Sequence, residues 1–403
     1  MKQKSLLLAC ALLALQSQAF ADASVKIGVL TDLSGPYADL SGRGSVLATQ
    51  MAVEDFRKAH PDFKVEVVSA DHQNKPDVGS ALARKWFDQD GVDVVVDAAS
   101  SAVALAVGQI IKDKNKVFLA SGPASSDITG KACSPNTVQW TYDTYALSKG
   151  TGGALARSGG DKWFFITADY AFGHAMERDT SRFVEAAGGK VIGRVRAPIN
   201  TADFSSFLLQ AQASGANVIG LANAGADTIN SVKQAAEFGL TATGTRLAGL
   251  LVFITDVHSL GIKAAQGLVV TEAFYWDLND ATRAFSKRFA ERIGGRMPSQ
   301  VHAGAYSATL HYLKALAALG SKDGVAANGV GIVEKMKELP TQDEAFGNGV
   351  IRKDGRKLHS MYLFEVKKSS ESTGTWDLYK PIARIPAEEA FRPLAEGECP
   401  LVR

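Results

Sequence analysis

The sequence predicts an α/β protein whose parallel sheets are covered by helices on both faces. From Val25 onward, short apolar or β-branched runs typical of buried strands alternate with amphipathic stretches typical of helices. After Trp140 the alternation starts again. Because repeated strand–helix–strand units form parallel sheets, two rounds of the pattern predict two lobes. A length of 403 residues also suits two domains of usual size better than a single core.

Each round of the pattern supplies its own strands and helices. The first has predicted strands at 25–31, 63–69, 92–96 and 117–120, with helices at 44–60, from 77 and at 102–110. The second has strands at 163–167, 191–197, 218–221 and 267–274, with helices at 147–158 and starting near 173, 203 and 227. Beyond residue 274 the pattern predicts helices at 281–293, 300–319 and 325–339, then a β-hairpin of 361–366 and 375–379.

The composition is that of a soluble globular protein. Hydrophobic residues make up 46% of the chain and charged residues 21%, and the formal net charge is +2. Because no basic stripe with interleaved aromatics occurs, nucleic acid is not expected as a partner. After the first residues, no segment approaches the roughly 20 uninterrupted apolar residues that a membrane-spanning helix requires.

The first residues have the pattern of a secretory signal peptide. Lys2 and Lys4 precede the apolar run 6–15, and a small-x-small cleavage site ends at Ala21. A lipoprotein site at Cys10 is the alternative, but only about four apolar residues directly precede it, fewer than the roughly 7–15 of a usual apolar region. We therefore expect cleavage after Ala21 and an exported, periplasmic product.

Without residues 1–21, the cysteines are Cys133 and Cys399. In an oxidising compartment, two cysteines so far apart in sequence favour a disulfide over a metal site, and two buried free thiols are the alternative. The histidines show no metal-ligand spacing. No metal site is therefore expected.

Small and hydroxyl-bearing residues follow several of the predicted strands. Ligands of open parallel sheets bind beyond the carboxyl ends of the strands. Loop chemistry alone also enriches serine, glycine and aspartate, but the same composition recurs without lysine or arginine. This recurrence indicates a small ligand held by neutral hydrogen bonds. The loops concerned are 31–37, 98–101, 120–126, 168–172 and 222–227.

The stretch Gly91 to Ala106 combines a buried strand, two serines and a helix. A helix N-terminus offers unpaired N–H groups and the positive end of the helix dipole, so it is suited to hold an anion. Ser100 and Ser101 either add donors to such an anion site or only cap their own helix.

Together these segments resemble the leucine/isoleucine/valine-binding family, the type I periplasmic substrate-binding proteins of ABC importers. The resemblance covers the chain from Val25 to the end and rests on the order and spacing of its motifs. These are Lys26-Ile-Gly-Val-Leu-Thr-Asp-Leu-Ser-Gly-Pro-Tyr37, Ala99-Ser-Ser101, Ser121-Gly-Pro-Ala124, Asp169-Tyr-Ala-Phe-Gly173, Asp203-Phe204, Asp227 with Gln234-Ala235, and Gly239-Leu240.

The resemblance implies two Rossmann-like lobes, joined by three hinge strands, that close on a ligand. The first lobe would comprise residues 24–141 and 273–348, and the second 142–272 and 349–403. The implied function is a periplasmic solute receptor that delivers its ligand to permease subunits in the inner membrane. A monomer without a cofactor is expected.

The resemblance also implies roles for individual residues. Ser100, Ser101, Ala124 and Ser125, with Ser121 and Ser126 beside them, would hold the ligand carboxylate. Asp227 would pair with an α-amino group, and Tyr142, Tyr145, Asp169 and Tyr170 would close over the ligand. Phe274, followed by Tyr275 and Trp276, would lie near the hinge. In the alternative interpretations Asp227 and Asp169 only cap helices, and Tyr145 faces its own core.

The ligand itself stays open at this stage. Aromatic residues in the site segments favour a planar guest over a branched aliphatic side chain. We expect a small carboxylate, with an amino acid and an aromatic acid as competitors. A ligand sensor for amides, urea or aromatic compounds is the alternative function on the same fold. An enzyme is not expected, because the sequence lacks a G-x-S-x-G elbow, an H-E-x-x-H motif and a Walker A loop.

Overall fold

The protein is described here by a computed structural model that covers residues 24–320 and 328–402. The predicted signal peptide, residues 1–21, lies outside the described residues. Within the described ranges, no helix has the length and apolar character needed to cross a membrane.

The first round of the pattern forms a parallel sheet with the strand order β2-β1-β3-β4-β5. The central strand β3 is fully buried because helices cover both faces of the sheet. The strands are β1 (Ser24–Thr31), β2 (Lys64–Asp71), β3 (Val94–Asp97), β4 (Val117–Ala120) and β5 (Thr137–Gln139), and the helices are α1 (Gly42–Ala59), α2 (Pro76–Lys85) and α3 (Ser101–Asp113).

The second round forms a separate parallel sheet with the order β7-β6-β8-β9. The predicted α/β class with two parallel sheets is thus confirmed. The strands are β6 (Lys162–Ala168), β7 (Lys190–Ala197), β8 (Val218–Ala222) and β9 (Arg246–Gly249). The helices are α4 (Thr144–Leu147), α5 (Gly153–Arg157), α6 (Ala171–Ala186), α7 (Ser205–Ala213), α8 (Ala226–Glu237), α9 (Ile254–Leu260) and α10 (Ile262–Ala265).

The remaining chain packs against both lobes and forms two further three-stranded sheets. The elements are β10 (Val269–Glu272), α11 (Asp280–Ala290), α12 (Gln300–Leu319), α13 (Gly329–Glu338), β11 (Thr341–Asp343), β12 (Gly347–Ile351), β13 (Lys357–Leu358), β14 (Met361–Val366), β15 (Tyr379–Ile385) and α14 (Ala387–Ala390). Helix α12 packs along α1 of the first lobe, whereas β10 joins β14 and β15 beside the second. The chain therefore passes between the lobes after β5, after β10 and before β14. The exact lobe limits stay a prediction.

The second strand of the C-terminal hairpin lies later than predicted. The sequence pattern placed it at 375–379, but β15 begins at Tyr379. The side chain of Asp377 accepts hydrogen bonds from the Thr373 N–H and hydroxyl and from Lys367 Nζ. These bonds hold residues 373–377 in a turn, so the ladder with β14 starts only after it.

The predicted disulfide is present and joins Cys133 to Cys399, with a Cα–Cα distance of 5.6 Å. It ties the C-terminal tail to the loop that follows β4. Arg392 supports the same attachment by donating to the Ser126 carbonyl at 2.9 Å.

Removing this disulfide should destabilise the protein markedly. We expect Cys399→Ser and the Cys133→Ser/Cys399→Ser double variant to lose about 2–5 kcal/mol of unfolding free energy, the usual cost of deleting a native disulfide. Urea denaturation of protein without residues 1–21 measures the loss. A thiol assay on the denatured, unreduced wild type should detect no free thiol, and two thiols per chain would contradict the pairing.

Candidate functional site

The predicted strand-end loops meet around one cavity between the two sheets. The empty space among its lining atoms, including the part open to solvent, is about 240 Å³. Each of the loops 31–37, 98–101, 120–126, 168–172 and 222–227 contributes at least one lining residue. The lining residues carry no positive charge. They are Tyr37, Leu40, Ala99, Gly122, Ala124, Tyr142, Tyr170, Phe172, Ala224 and Leu251.

Direct contacts hold the two sides of the cavity together. The hydroxyls of Tyr37 and Tyr170 lie 2.5 Å apart, and the Ala226 N–H donates to the Pro36 carbonyl at 3.3 Å. Gly225 has a φ of 55°, and a Cβ atom there would lie 2.3 Å from the Pro36 carbonyl oxygen. Only glycine allows the loop after β8 to approach the loop after β1 this closely. The lobes are therefore in a closed arrangement.

Ser100 lies at the N-terminus of α3 with its hydroxyl uncommitted. Its side chain makes no capping hydrogen bond, and its Oγ is buried without a partner among the described residues. The interpretation of Ser100 as a cap is thus not supported. The first turn of α3 carries no acidic residue, so its N–H groups and dipole present a positive potential. These features suit an anion.

Of the other predicted serines, one has a hydroxyl without a hydrogen-bond partner in the described structure, and three have hydroxyls that bond to neighbouring loops or helices. Ser121 Oγ is also buried and unpartnered within the described chain. Ser101 Oγ accepts from the Ser125 N–H at 3.1 Å, and Ser125 Oγ accepts from the Asp127 N–H at 3.3 Å, so these two shape the loops. Ser126 donates to Asp179 at 2.7 Å, which commits it to α6.

Asp227 carries an unsatisfied carboxylate oxygen. The residue is 2% exposed, its Oδ2 accepts from the Asn200 N–H at 3.2 Å, and its Oδ1 finds no partner in the part of the chain that the structure describes. Burial raises the pKa of Asp227 to about 6, since desolvation disfavours the charged form. Gly225, not Asp227, is the N-cap of α8. The Asp227 carboxylate therefore does not cap α8.

The other predicted residues of the second lobe lie at different distances from the cavity. Tyr142 lines it and donates its hydroxyl to the Gly122 carbonyl at 2.6 Å. Tyr170 lines it as well. The side chain of Asp169 points away from the cavity. It is 55% exposed, and its Oδ1 lies 2.9 Å from His174 Nε2.

The structure does not bring Tyr145 or Phe274 to the cavity. The Tyr145 ring packs edge-on against Phe183 of α6, with ring centroids 5.0 Å apart. Phe274 is fully buried in the core of the first lobe, with its ring against Phe285. Each lies next to a cavity or hinge segment in sequence, but the Tyr145 ring packs on α6 and the Phe274 ring lies in the core of the first lobe.

Sequence reasoning missed Leu251 and the strand that positions it. Leu251 follows β9, a strand of four residues that the pattern did not reveal. The apolar run from Leu247 to Phe253 is the signal that could have identified this sixth strand end. The sequence singled out the loop 120–126 but not Gly122 itself, whose carbonyl accepts the hydrogen bond of the Tyr142 hydroxyl.

The described residues contain no group of three or more histidine, cysteine, aspartate or glutamate side chains that could hold a metal ion. Tyrosine hydroxyls and aromatic faces line the cavity, and the unpartnered oxygens of Ser100, Ser121 and Asp227 lie on the loops around it. This donor set suits reversible binding of a small polar molecule.

Comparison with known proteins agrees with this architecture. A family model described as periplasmic binding protein matches residues 24–372. A periplasmic binding protein from Burkholderia mallei is 47% identical, covering 94% of this chain and 99% of its own, with a TM-score of 0.90. A branched-chain amino acid ABC transporter ligand-binding protein from Burkholderia xenovorans is 40% identical over 94% of this chain and 100% of its own, with a TM-score of 0.82.

The curated relatives include a Leu/Ile/Val-binding protein homolog from Brucella melitensis. It is 29% identical over 369 residues, which cover 89% of this chain and 91% of the relative. These relatives are named for ligand binding rather than for catalysis. The family model, the fold and the interlobe cavity agree: the chain belongs to the periplasmic binding proteins, the solute-binding components of ABC transporters.

Proposed function

We propose that this protein captures a small carboxylate between its lobes in the periplasm and delivers it to the permease of an ABC importer. The observation that carries the proposal is the buried, unpartnered Ser100 hydroxyl at the uncapped N-terminus of α3, beside a cavity that both lobes line. Since none of the described residues that line the cavity is cationic, helix N–H groups and hydroxyls would bind the anion.

The proposed binding set is narrower than the sequence implied. Ser100 and Ser121 would bind the carboxylate, with Ser101, Ala124 and Ser125 shaping the loops around it. Tyr37, Tyr142, Tyr170 and Phe172 would enclose the rest of the ligand. Asp227 would accept a hydrogen bond from an α-amino group if the ligand is an amino acid. Asp169, Tyr145 and Phe274 are left out, because their side chains point away from the cavity.

The residues that line the cavity indicate the class of ligand. Aromatic faces on both lobes support a flat or apolar guest. The Burkholderia xenovorans relative is named for branched-chain amino acids and the Brucella relative for leucine, isoleucine and valine. An amino acid and an aromatic acid are therefore the two candidates. Binding of either ligand would stabilise the closed arrangement of the lobes, which is the form that the permease would recognise. A monomer is sufficient for this function.

A thermal-shift screen tests the proposal directly. The purified protein should unfold at a temperature a few degrees higher with a millimolar excess of L-leucine, L-phenylalanine, benzoate or 4-hydroxybenzoate, because a ligand that binds only the folded state stabilises it. Benzamide and leucinamide, which lack the carboxylate, should give a smaller shift. Stabilisation by the amides alone would contradict the proposal that the ligand is a carboxylate. It would favour the alternative function, a sensor for amides.

A further inference from the structure

Asp97 is a buried carboxyl group at the junction of the cavity segments of the first lobe. It ends β3, has no exposed surface and adopts a φ of 82°. Its Oδ2 accepts hydrogen bonds from the hydroxyls of Thr31, at 2.7 Å, and Ser41. One carboxylate oxygen thus connects the end of β1 and the start of α1 to the end of β3.

The second carboxylate oxygen of Asp97 lies directly behind the cavity wall. Its Oδ1 has no hydrogen-bond partner among the described residues. A Cβ atom built on Gly122 would lie 2.2 Å from this oxygen and 2.8 Å from Ala99 Cα. Gly122 and Ala99 both line the cavity. A single layer of backbone therefore separates Asp97 from the space in which a ligand would bind.

Among the described residues, none of the groups that act most strongly on this carboxyl group is a cation. The groups that face it are the hydroxyls of Thr31, Ser41 and Ser45, the carboxylate of Asp32 and, from the segment after β5, the Tyr142 hydroxyl. Burial raises the pKa of Asp97 to about 6. An anion bound at the nearby α3 N-terminus would favour the protonated form further, because like charges repel strongly away from water.

We propose that the cleft takes up an anionic ligand together with a proton, and that Asp97 is the group that receives this proton. The inference rests on the proposed carboxylate function. Protonation removes the repulsion behind the cavity wall and gives Asp97 a hydroxyl donor in place of a bare oxygen. Asp97 acts as a positioning residue whose charge sets the pH dependence of binding.

Titration calorimetry with benzoate and L-leucine tests the proposal. Near pH 7, the heats measured in phosphate and in Tris should differ by the amount expected for uptake of close to one proton per bound carboxylate. Between about pH 7 and pH 8 the affinity should fall roughly tenfold. In Asp97→Asn, which keeps the shape but cannot titrate, both the uptake and the pH dependence should disappear.

Asp227→Asn separates Asp97 from Asp227, another buried carboxyl group with an unpartnered oxygen in the described structure. The Asp227→Asn variant should retain the proton uptake that accompanies benzoate binding. If Asp227→Asn lost the proton uptake and Asp97→Asn retained it, the proton would be assigned to Asp227 and the proposal would be overturned. Binding of a carboxylate by the wild type without proton uptake would also overturn it and leave the proposed function intact. Failure of benzoate, L-leucine and the other carboxylates of the screen to bind at any pH would contradict both.

A ligand-free measurement excludes a purely structural role. Because the folded-state pKa of Asp97 lies above its ordinary value, the stabilisation that neutral Asp97 provides is complete at low pH and is lost as the pH rises through about 6. The unfolding temperature of Asp97→Asn relative to wild type should therefore increase by several degrees between about pH 4 and pH 7.5. A constant difference would mean that Asp97 does not titrate in this range and would contradict the inference.

Discussion

Replacing Ser100 and Ser101 together by alanine should weaken carboxylate binding by about 10- to 100-fold. A hydrogen bond to a charged group contributes about 1.5–3 kcal/mol, and Ser100 offers a buried hydroxyl that is not otherwise used. Loss of the Ser101 hydroxyl adds to this effect, because it leaves the Ser125 N–H without its acceptor. Calorimetry with whichever carboxylate gives the largest thermal shift measures the change.

Ser286→Ala is the matched control for the serine variant. Ser286 is also fully buried with an unpartnered hydroxyl in the described structure, but it lies on α11 away from the cavity. Its replacement should leave the affinity unchanged. The single Ser100→Ala variant keeps the Ser101–Ser125 hydrogen bond and isolates the direct contact. Unchanged affinity in the double variant would show that the α3 N-terminus does not hold the carboxylate.

Gly225→Ala should oppose closure of the lobes. The new methyl group would lie 2.3 Å from the Pro36 carbonyl oxygen, across the cleft, so the closed form must shift to accommodate it. Overpacking of this kind costs about 1–3 kcal/mol, and a penalty borne by the closed form alone reduces the apparent affinity by about 5- to 150-fold. Small-angle scattering with excess ligand should show a larger radius of gyration than the wild type.

Gly261→Ala controls for backbone strain in this experiment. Gly261 also has a positive φ, of 80°, but a Cβ atom there would meet nothing within 4 Å. Its alanine variant should lose stability without losing affinity beyond a few-fold. If Gly225→Ala binds as tightly as Gly261→Ala and closes normally, the approach of the loops after β1 and β8 is not required for binding.

The sequence pattern was sufficient for most strands of the two parallel sheets and for the loops at the cavity. Strands such as β3, Val94–Asp97, are apolar up to their last residue because helices bury both faces of a parallel sheet, and this leaves a local signal. The cavity loops follow from the strand ends by topology alone. The pattern failed at β5, β9, β11, β12 and β13, which have only two to five residues and leave little periodicity. It also failed at β15, where a turn around Asp377 delays the strand.

Tertiary structure alone decided which side chains of those loops reach the cavity. Tyr142 and Tyr145 are three residues apart, but one ring lines the cavity and the other packs on α6. Asp97 gave no local signal, because its significance depends on Gly122 from a different strand end and on the absence of a neighbouring cation among the groups that face it.

The sequence by itself therefore determined the α/β class, the two parallel sheets, the disulfide and the five loops that surround the cavity. These properties follow from local periodicity, residue type and the direction of parallel strands. The orientation of Tyr145 and Phe274 away from the cavity, the close approach at Gly225 and the unpartnered oxygens of Ser100, Asp97 and Asp227 were decided only by the tertiary structure. Each of these depends on contacts between residues distant in sequence, which local patterns do not encode.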